Sequence, residues 1–219
     1  MSSTEPQTER PQNKQQQRTE RSTNALLEAA SDLIVDGGFA ALTFAAIGER
    51  SGYSRGMVTA RFGNKDALIE ALIDRIVTTW SHKNVIPYTK GRTGLDGAMT
   101  LLDAITSQAA KDPRGLQVLY SLMFEAVGSN DDMVLRFAKF HEGMRADFAR
   151  YVRRGQRDGS IRKGPSPDRE AELFVAGLRG IGFQWLLDPG AFDPVKALKY
   201  FRATTHDRLI NPLSDKDAK

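Results

Sequence analysis

Residues 52–65 read GYSRGMVTARFGNK, with three bases, Arg55, Arg61 and Lys65, and no Asp or Glu. Carried back to Arg50, the segment gains a fourth base and still no acid, in a chain holding 31 Lys and Arg against 27 Asp and Glu. A local gap in carboxylates within a nearly balanced chain points to an anionic partner, since a carboxylate beside a phosphate would be repelled. Gly52 supplies a turn, Ser54 can cap a helix starting at Arg55, and Val58 and Phe62 recur one turn apart as its buried side. With those two inward, a rotation of about 100° per residue leaves Gly56, Met57, Thr59 and Ala60 on the outer face, small and uncharged.

Upstream, Thr43 can cap a short helix through Phe44, Ile47 and Arg50, and Gly48 offers the small residue two crossing helices need where they touch. Before it, Leu26, Leu27, Ala30, Leu33 and Ile34 form one helical stripe, ended by the Gly37-Gly38 pair. The pattern predicts a three-helix, helix-turn-helix unit. Its small outer face can approach the floor of a major groove while Arg55 and Arg61 reach guanine edges or phosphates. Lys65, at the start of the following helix, adds its charge to free backbone N–H groups, a seat for a phosphate.

Downstream, Leu68, Ile69, Leu72, Ile73, Ile76, Val77 and Trp80 predict one long helix over 66–82. Further helical stripes follow at Leu95 to Ile105, Leu116 to Met123, Met133 to Tyr151, Pro167 to Leu187 and Pro194 to Leu209. Asp112-Pro113, Ser166-Pro167 and Asp193-Pro194 repeat a cap followed by a first-turn proline. No alternating strand pattern and no fixed-period repeat occurs. The expected fold is all-α, with a polar disordered arm over 1–20, the helix-turn-helix domain over 21–66, a larger helical bundle over 67–213 and a tail over 214–219.

Residues 22–69, through GGFAALTFAAIGERSGYSRGMVTARFGNKDALI, resemble the DNA-binding region of the TetR family of transcriptional regulators. The resemblance implies a homodimer on a palindromic operator, with the region after about residue 83 taking a small molecule. Carried over residue by residue, it makes Thr43, Ser54, Arg55, Met57, Thr59, Arg61 and Lys65 DNA contacts, beside Gly56 and Ala60 of the outer face. Thr59 is a departure, standing where the family commonly has a tyrosine. A threonine hydroxyl still reaches a phosphate but loses the aromatic contact with thymine methyls, so base preference does not transfer from relatives.

The resemblance also implies a cavity among the middle helices. Trp80, Met99, Leu102, Met123, Phe124, Phe137, Phe140, His141, Met144 and Phe148 are expected to line it, for a largely apolar effector, although most such side chains simply fill cores. His82 and His141 are the polar groups placed to face it. A basic cluster from Arg145 to Lys163, seven cations against two acids, is either a solvated helix end or a seat for ligand phosphates. Gly177, Gly180 and Gly182 are costly within a helix unless another backbone comes close. With Phe174, Leu178, Ile181, Trp185, Leu198, Phe201 and Leu209 they predict a two-fold bundle against a second chain.

The absence of cysteine excludes disulfides, zinc–thiolate sites and thiol catalysis. No histidine pair stands at metal-ligand spacing, so neither a metal nor a cofactor is expected. No nucleophile–base or acid pair can be assembled, and Glu125, in an apolar helix, is the one acid of interest, so the chain is not expected to be an enzyme. No apolar run spans a bilayer, which makes the cytoplasm the expected compartment. The alternative to a ligand-responsive repressor is an architectural DNA-binding protein that takes no ligand.

Overall fold

The computed structural model describes residues 11–79, 81, 85–129 and 131–210. All regular structure among them is helical, in the order α1 Pro11–Gly37, a single 3-10 turn at Phe39–Ala41, α2 Phe44–Ser51, α3 Arg55–Phe62, α4 Lys65–Thr78, α5 Ile86–Thr89, α6 Gly94–Lys111, α7 Pro113–Ser129, α8 Asp131–Asp158, α9 Pro167–Leu187 and α10 Pro194–Ile210. The chain divides into two units, Met1–Leu72 and Ile73–Lys219, so the division falls inside α4 rather than at its start.

In the first unit Leu26, Ala30 and Ile34 of α1 are almost wholly buried, as are Leu42, Ile47, Val58, Leu68 and Leu72. Helix α1 begins at Pro11, well before the end of the expected disordered arm. Residues 14–20 are exposed, so they add nothing to the core, as their polarity requires. Gln, Lys, Arg and Glu are nevertheless good helix formers, and a helix nucleated by the packed segment extends through them without needing burial. Residues 1–10 of that arm, and the tail, lie outside the described residues.

The second unit is built on α8 and α9, with α6 and α10 completing its core. Phe148 of α8 and Phe174 of α9, both fully buried, stack with ring centroids 4.3 Å apart. Helical glycines make room for aromatic rings: a Cβ on Gly182 would lie 1.9 Å from the Tyr120 ring, one on Gly177 2.5 Å from Phe201, and one on Gly97 2.4 Å from Tyr151. The close packing inferred from Gly177 and Gly182 is therefore internal to the chain, while Gly180 faces open space. A half-buried ion pair, Arg208 Nε to Glu170 Oε2 at 2.8 Å, ties α10 to α9.

Candidate nucleic-acid interface and effector region

The turn between α2 and α3 is built as its composition demands. Gly52 lies at φ 76°, ψ 16°, the left-handed conformation that glycine adopts without penalty. Thr43 Oγ1 accepts from Ala46 N at 3.2 Å, and Ser54 Oγ accepts from Met57 N at 3.1 Å, so both short helices are capped by the expected side chains. At Gly48 a Cβ would stand 2.8 Å from the Tyr53 carbonyl oxygen and 3.0 Å from Arg55 N. Glycine is thus what lets α2 seat the start of α3. Asn64 Oδ1 accepts from Ala67 N at 2.8 Å and caps α4, directly before Lys65.

Val58 is fully buried, Phe62 is half-buried, and Ser54, Arg55, Gly56, Thr59 and Ala60 are exposed, with Met57 half-buried. The outer face anticipated from helical rotation is therefore the solvent face. Thr43 and Lys65 are exposed on the flanking helices. Two refinements concern the bases. Arg61 turns back, Nη2 donating to Ser22 Oγ at 3.1 Å, so it braces α3 against α1 instead of standing free over the outer face. Arg50 is ion-paired with Asp36, which removes it from the free positive charge of the segment. Lys65 Nζ lies 4.3 Å from the centre of the Phe39 ring, an exposed cation–π contact that holds the ammonium at the start of α4. Thr59 Oγ1 donates to the Arg55 carbonyl at 3.1 Å, keeping the hydroxyl against its own helix.

An exposed, acid-free helix seated on a glycine turn after a capped partner helix defines a helix-turn-helix DNA-binding protein. Residues 26–72 match the family model for bacterial regulatory proteins of the tetR family, and residues 95–209 match that for the C-terminal region of BetI-type transcriptional repressors. The chain belongs to the TetR family of transcriptional regulators. It is 27% identical over 175 residues to the HTH-type transcriptional regulator TtgR of Pseudomonas putida, covering 77% of this chain and 81% of that protein. It is 28% identical over 177 residues to the probable HTH-type transcriptional regulator ArpR of Pseudomonas putida, with the same coverage. A TetR transcription regulator from Haloarcula marismortui shares the fold with a TM-score of 0.77 and 16% identity, over 88% of this chain and all of that one.

In the second unit the expected groupings separate. Met99, Leu102, Met144 and Phe148 belong to one buried core, in which Phe148 is taken up by its stack on Phe174. Phe137 is buried, Phe140 and Met123 are half-buried, and Phe124 is 44% exposed, paired on the surface with Phe183 at 5.0 Å. Trp80 and His82 lie outside the described residues. A pocket of about 230 Å³ opens elsewhere, on α5 and α6, lined by Tyr88, Thr100, Ala104 and Ser107 among others. In the basic cluster Arg150 pairs with Asp147 at 2.7 Å, Arg153 pairs with Asp168, and Arg162 Nε donates to the Arg208 carbonyl at 3.2 Å. Three of the seven cations thus have partners within the chain.

The residues expected at a dimer interface are placed within the single chain as follows. Phe174, Leu178, Trp185, Leu198 and Leu209 are buried within the chain's own core, Ile181 and Phe201 pack against it, and Gly177 seats Phe201. Helix α9 is apolar on both sides, and periodicity alone selects the inner stripe because it is the richer one. The outer stripe, Leu173, Ala176, Gly180, Phe183 and Leu187, recurs at spacings of three and four, and Leu173, Phe183 and Leu187 are 50, 40 and 69% exposed. Tyr200 on α10 adds a side chain 73% exposed.

Around His141 lies a polar group that only its second member, Arg179, makes intelligible. Arg179 Nη1 donates to the Tyr120 hydroxyl at 3.3 Å and Nη2 reaches Met144 Sδ at 3.1 Å. Tyr120 in turn donates to the Leu178 carbonyl at 2.7 Å. Burial, then the charges of Arg179 and Arg145, lower the His141 pKa from 6.5 to about 4, so the ring is neutral near pH 7. Sequence reasoning passed over Arg179, although a lone cation in LFVAGLRGIGFQWLL was the signal available.

No group of three or more His, Cys, Asp or Glu side chains placed to hold a metal occurs among the described residues. No helix among them is long and apolar enough to cross a membrane.

Proposed function

We propose that the chain is an effector-responsive repressor that binds a palindromic operator as a homodimer. The observation that carries the reading is the exposed, carboxylate-free face of α3, with Arg55 at its first turn and Lys65 beside it. Arg55, Gly56, Met57, Thr59 and Ala60 enter the major groove, while Thr43, Ser54 and Lys65 meet phosphates. Arg61 acts through Ser22, fixing the angle of α3. The match of residues 95–209 to a repressor C-terminal region supports repression as the sign of control.

The outer stripe of α9 with Tyr200 of α10 forms the two-fold interface. Apolar side chains in that register are costly to leave in water, and a second copy covers them by an isologous contact. The dimer places two α3 helices about 34–36 Å apart, one helical turn of DNA. An apolar effector in the second unit favours a spacing that misfits the operator, and a near-complete switch requires about 5.5 kcal/mol of differential affinity between the two states.

A footprint on DNA flanking the protein's own gene tests the reading. Expected are two protected half-sites about 10 base pairs apart or a multiple of that, lost when an effector is added. Protection without sequence preference at any salt would leave a ligand-independent architectural protein instead.

A further inference from the structure

We infer that Arg179 and His141 form the acid-reading end of the effector site, which takes a ligand carrying a carboxylate on an aromatic body. The inference rests on the effector reading above and specifies its ligand class.

Arg179 is half-buried and lacks a carboxylate partner among the described residues. Three arginines of the same unit face a carboxylate: Arg202 Nε lies 2.6 Å from Asp103, Arg208 Nε 2.8 Å from Glu170, and Arg136 Nη1 3.1 Å from Asp74. The partners Arg179 does have are a phenol oxygen and a thioether, the latter a weak acceptor. Its Nε and His141 Nε2 are buried without a hydrogen-bond partner, as are Arg202 Nε and Arg208 Nη2, but those two arginines have a carboxylate beside them. Two orphan nitrogens with free charge beside one of them are what an incoming anion satisfies.

The surroundings supply the rest of the recognition. The Arg179 guanidinium carbon lies 5.6 Å from the Tyr120 ring centre and 5.7 Å from that of Phe140, so its flanks are aromatic. Phe140, His141 and Met144 sit on one turn of α8, which brings the histidine to the arginine that touches its two neighbours. A neutral imidazole can donate one N–H without adding a second cation, and the guanidinium donates from Nε, so two donors can meet the two oxygens of one carboxylate. An aromatic body then rests on Phe140 and Tyr120. Gly182, under the Tyr120 ring, holds that wall in place.

The test titrates the full chain with 2-naphthoate and with 2-naphthamide, of the same shape without the charge, while following arginine Nε–H resonances by NMR. The Arg179 signal is assigned by its loss in Arg179→Lys. Expected are a saturable shift of that signal with naphthoate, binding about 10- to 100-fold weaker for the amide, and the same loss for naphthoate in Arg179→Gln with amide binding unchanged. Absence of a saturable shift, or equal affinity for the two probes, overturns the inference in the wild-type chain whether or not either variant folds. Operator release is scored separately. Release by neutral aromatics without preference for the acid discards the carboxylate site and keeps the effector reading, whereas naphthoate bound at Arg179 with no release by any compound does the reverse.

Discussion

Replacing Gly48 with alanine tests the joint on which the DNA-binding face depends. The added methyl would meet Tyr53 O at 2.8 Å, Arg55 N at 3.0 Å and Ser54 C at 3.1 Å, all backbone atoms, where ordinary contact starts at 3.4 Å. The segment 53–55 must therefore recede by about half an ångström, and it cannot yield by a rotamer change as a side chain would. It also carries the Ser54 cap and accommodates the 2.9 Å bond from Tyr53 N to Gly48 O. Overpacking of this kind costs about 1–3 kcal/mol. In a unit of this size that lowers the melting temperature by roughly 4–8 °C per kcal/mol. Because α3 is displaced at its origin, operator affinity falls as well, by about 1–3 kcal/mol if a single base contact is lost. Gly56→Ala is the matched control. Its Cβ would find only Ser54 Oγ at 3.7 Å, so the exchange should stabilise the helix by about 0.5–1 kcal/mol while crowding the face that enters the groove. Circular dichroism melts and fluorescence anisotropy with an operator duplex measure both quantities. If Gly48→Ala melts and binds like the parent, the α2–α3 contact is not rigid and the argument fails. If Gly56→Ala binds DNA as tightly as the parent, its face is not the one in the groove.

Lys65→Ala should weaken binding to all duplexes alike and reduce the salt slope by roughly 1, Arg55→Ala should cost about 1–3 kcal/mol with relaxed base preference, and Arg61→Ala should chiefly lower stability through Ser22, all read from salt titrations beside melts. An unfolded histidine takes its proton near 6.5 and His141 only near 4, so acid favours the unfolded chain across that window and stability is lost as pH falls through it. The shift corresponds to about 3 kcal/mol, reduced to about 1–2 for a half-exposed ring, and appears as a pH-dependent stability difference between the parent and His141→Gln in urea titrations. Phe174→Ala should cost about 3–5 kcal/mol by emptying the space against Phe148, whereas Leu173→Glu with Phe183→Glu should leave each chain folded and yield monomers in sedimentation.

The first unit was legible because its signals are local. A cap, a left-handed glycine and a small residue at a crossing each act within a few positions, as Thr43, Gly52 and Gly48 show. What the sequence did not disclose is where long side chains end. Arg61 and Ser22 are 39 positions apart, Arg50 and Asp36 are 14 apart, and no spacing rule marks either pair. Helix α9 shows the same limit differently. Its apolar residues surround most of the helix, so periodicity identified a buried helix but not which stripe meets the chain's own core. Only Phe148 and Phe201, supplied from α8 and α10, decide that Phe174 and Gly177 face inward.

That geometry gives α9 three tasks at once. Its inner side carries Phe174 and Leu178 into the core, its outer side presents Leu173, Phe183 and Leu187, and between them Arg179 reaches toward α8 while Gly182 seats Tyr120 of α7. A packed core yields by discrete repacking rather than by smooth bending. An anion drawn to Arg179 competes with its bonds to Tyr120 and Met144, and any adjustment of those contacts is borne by the helix whose far side is proposed to meet the second copy. Gly182→Ala separates the steps: it forces the Tyr120 ring away without touching the outer stripe. If ligand response and dimer geometry are linked through α9, this variant remains a dimer that binds operator and, at naphthoate concentrations that still saturate the Arg179 shift, fails to release it. A variant that still releases DNA as the parent does would show that the signal takes another route.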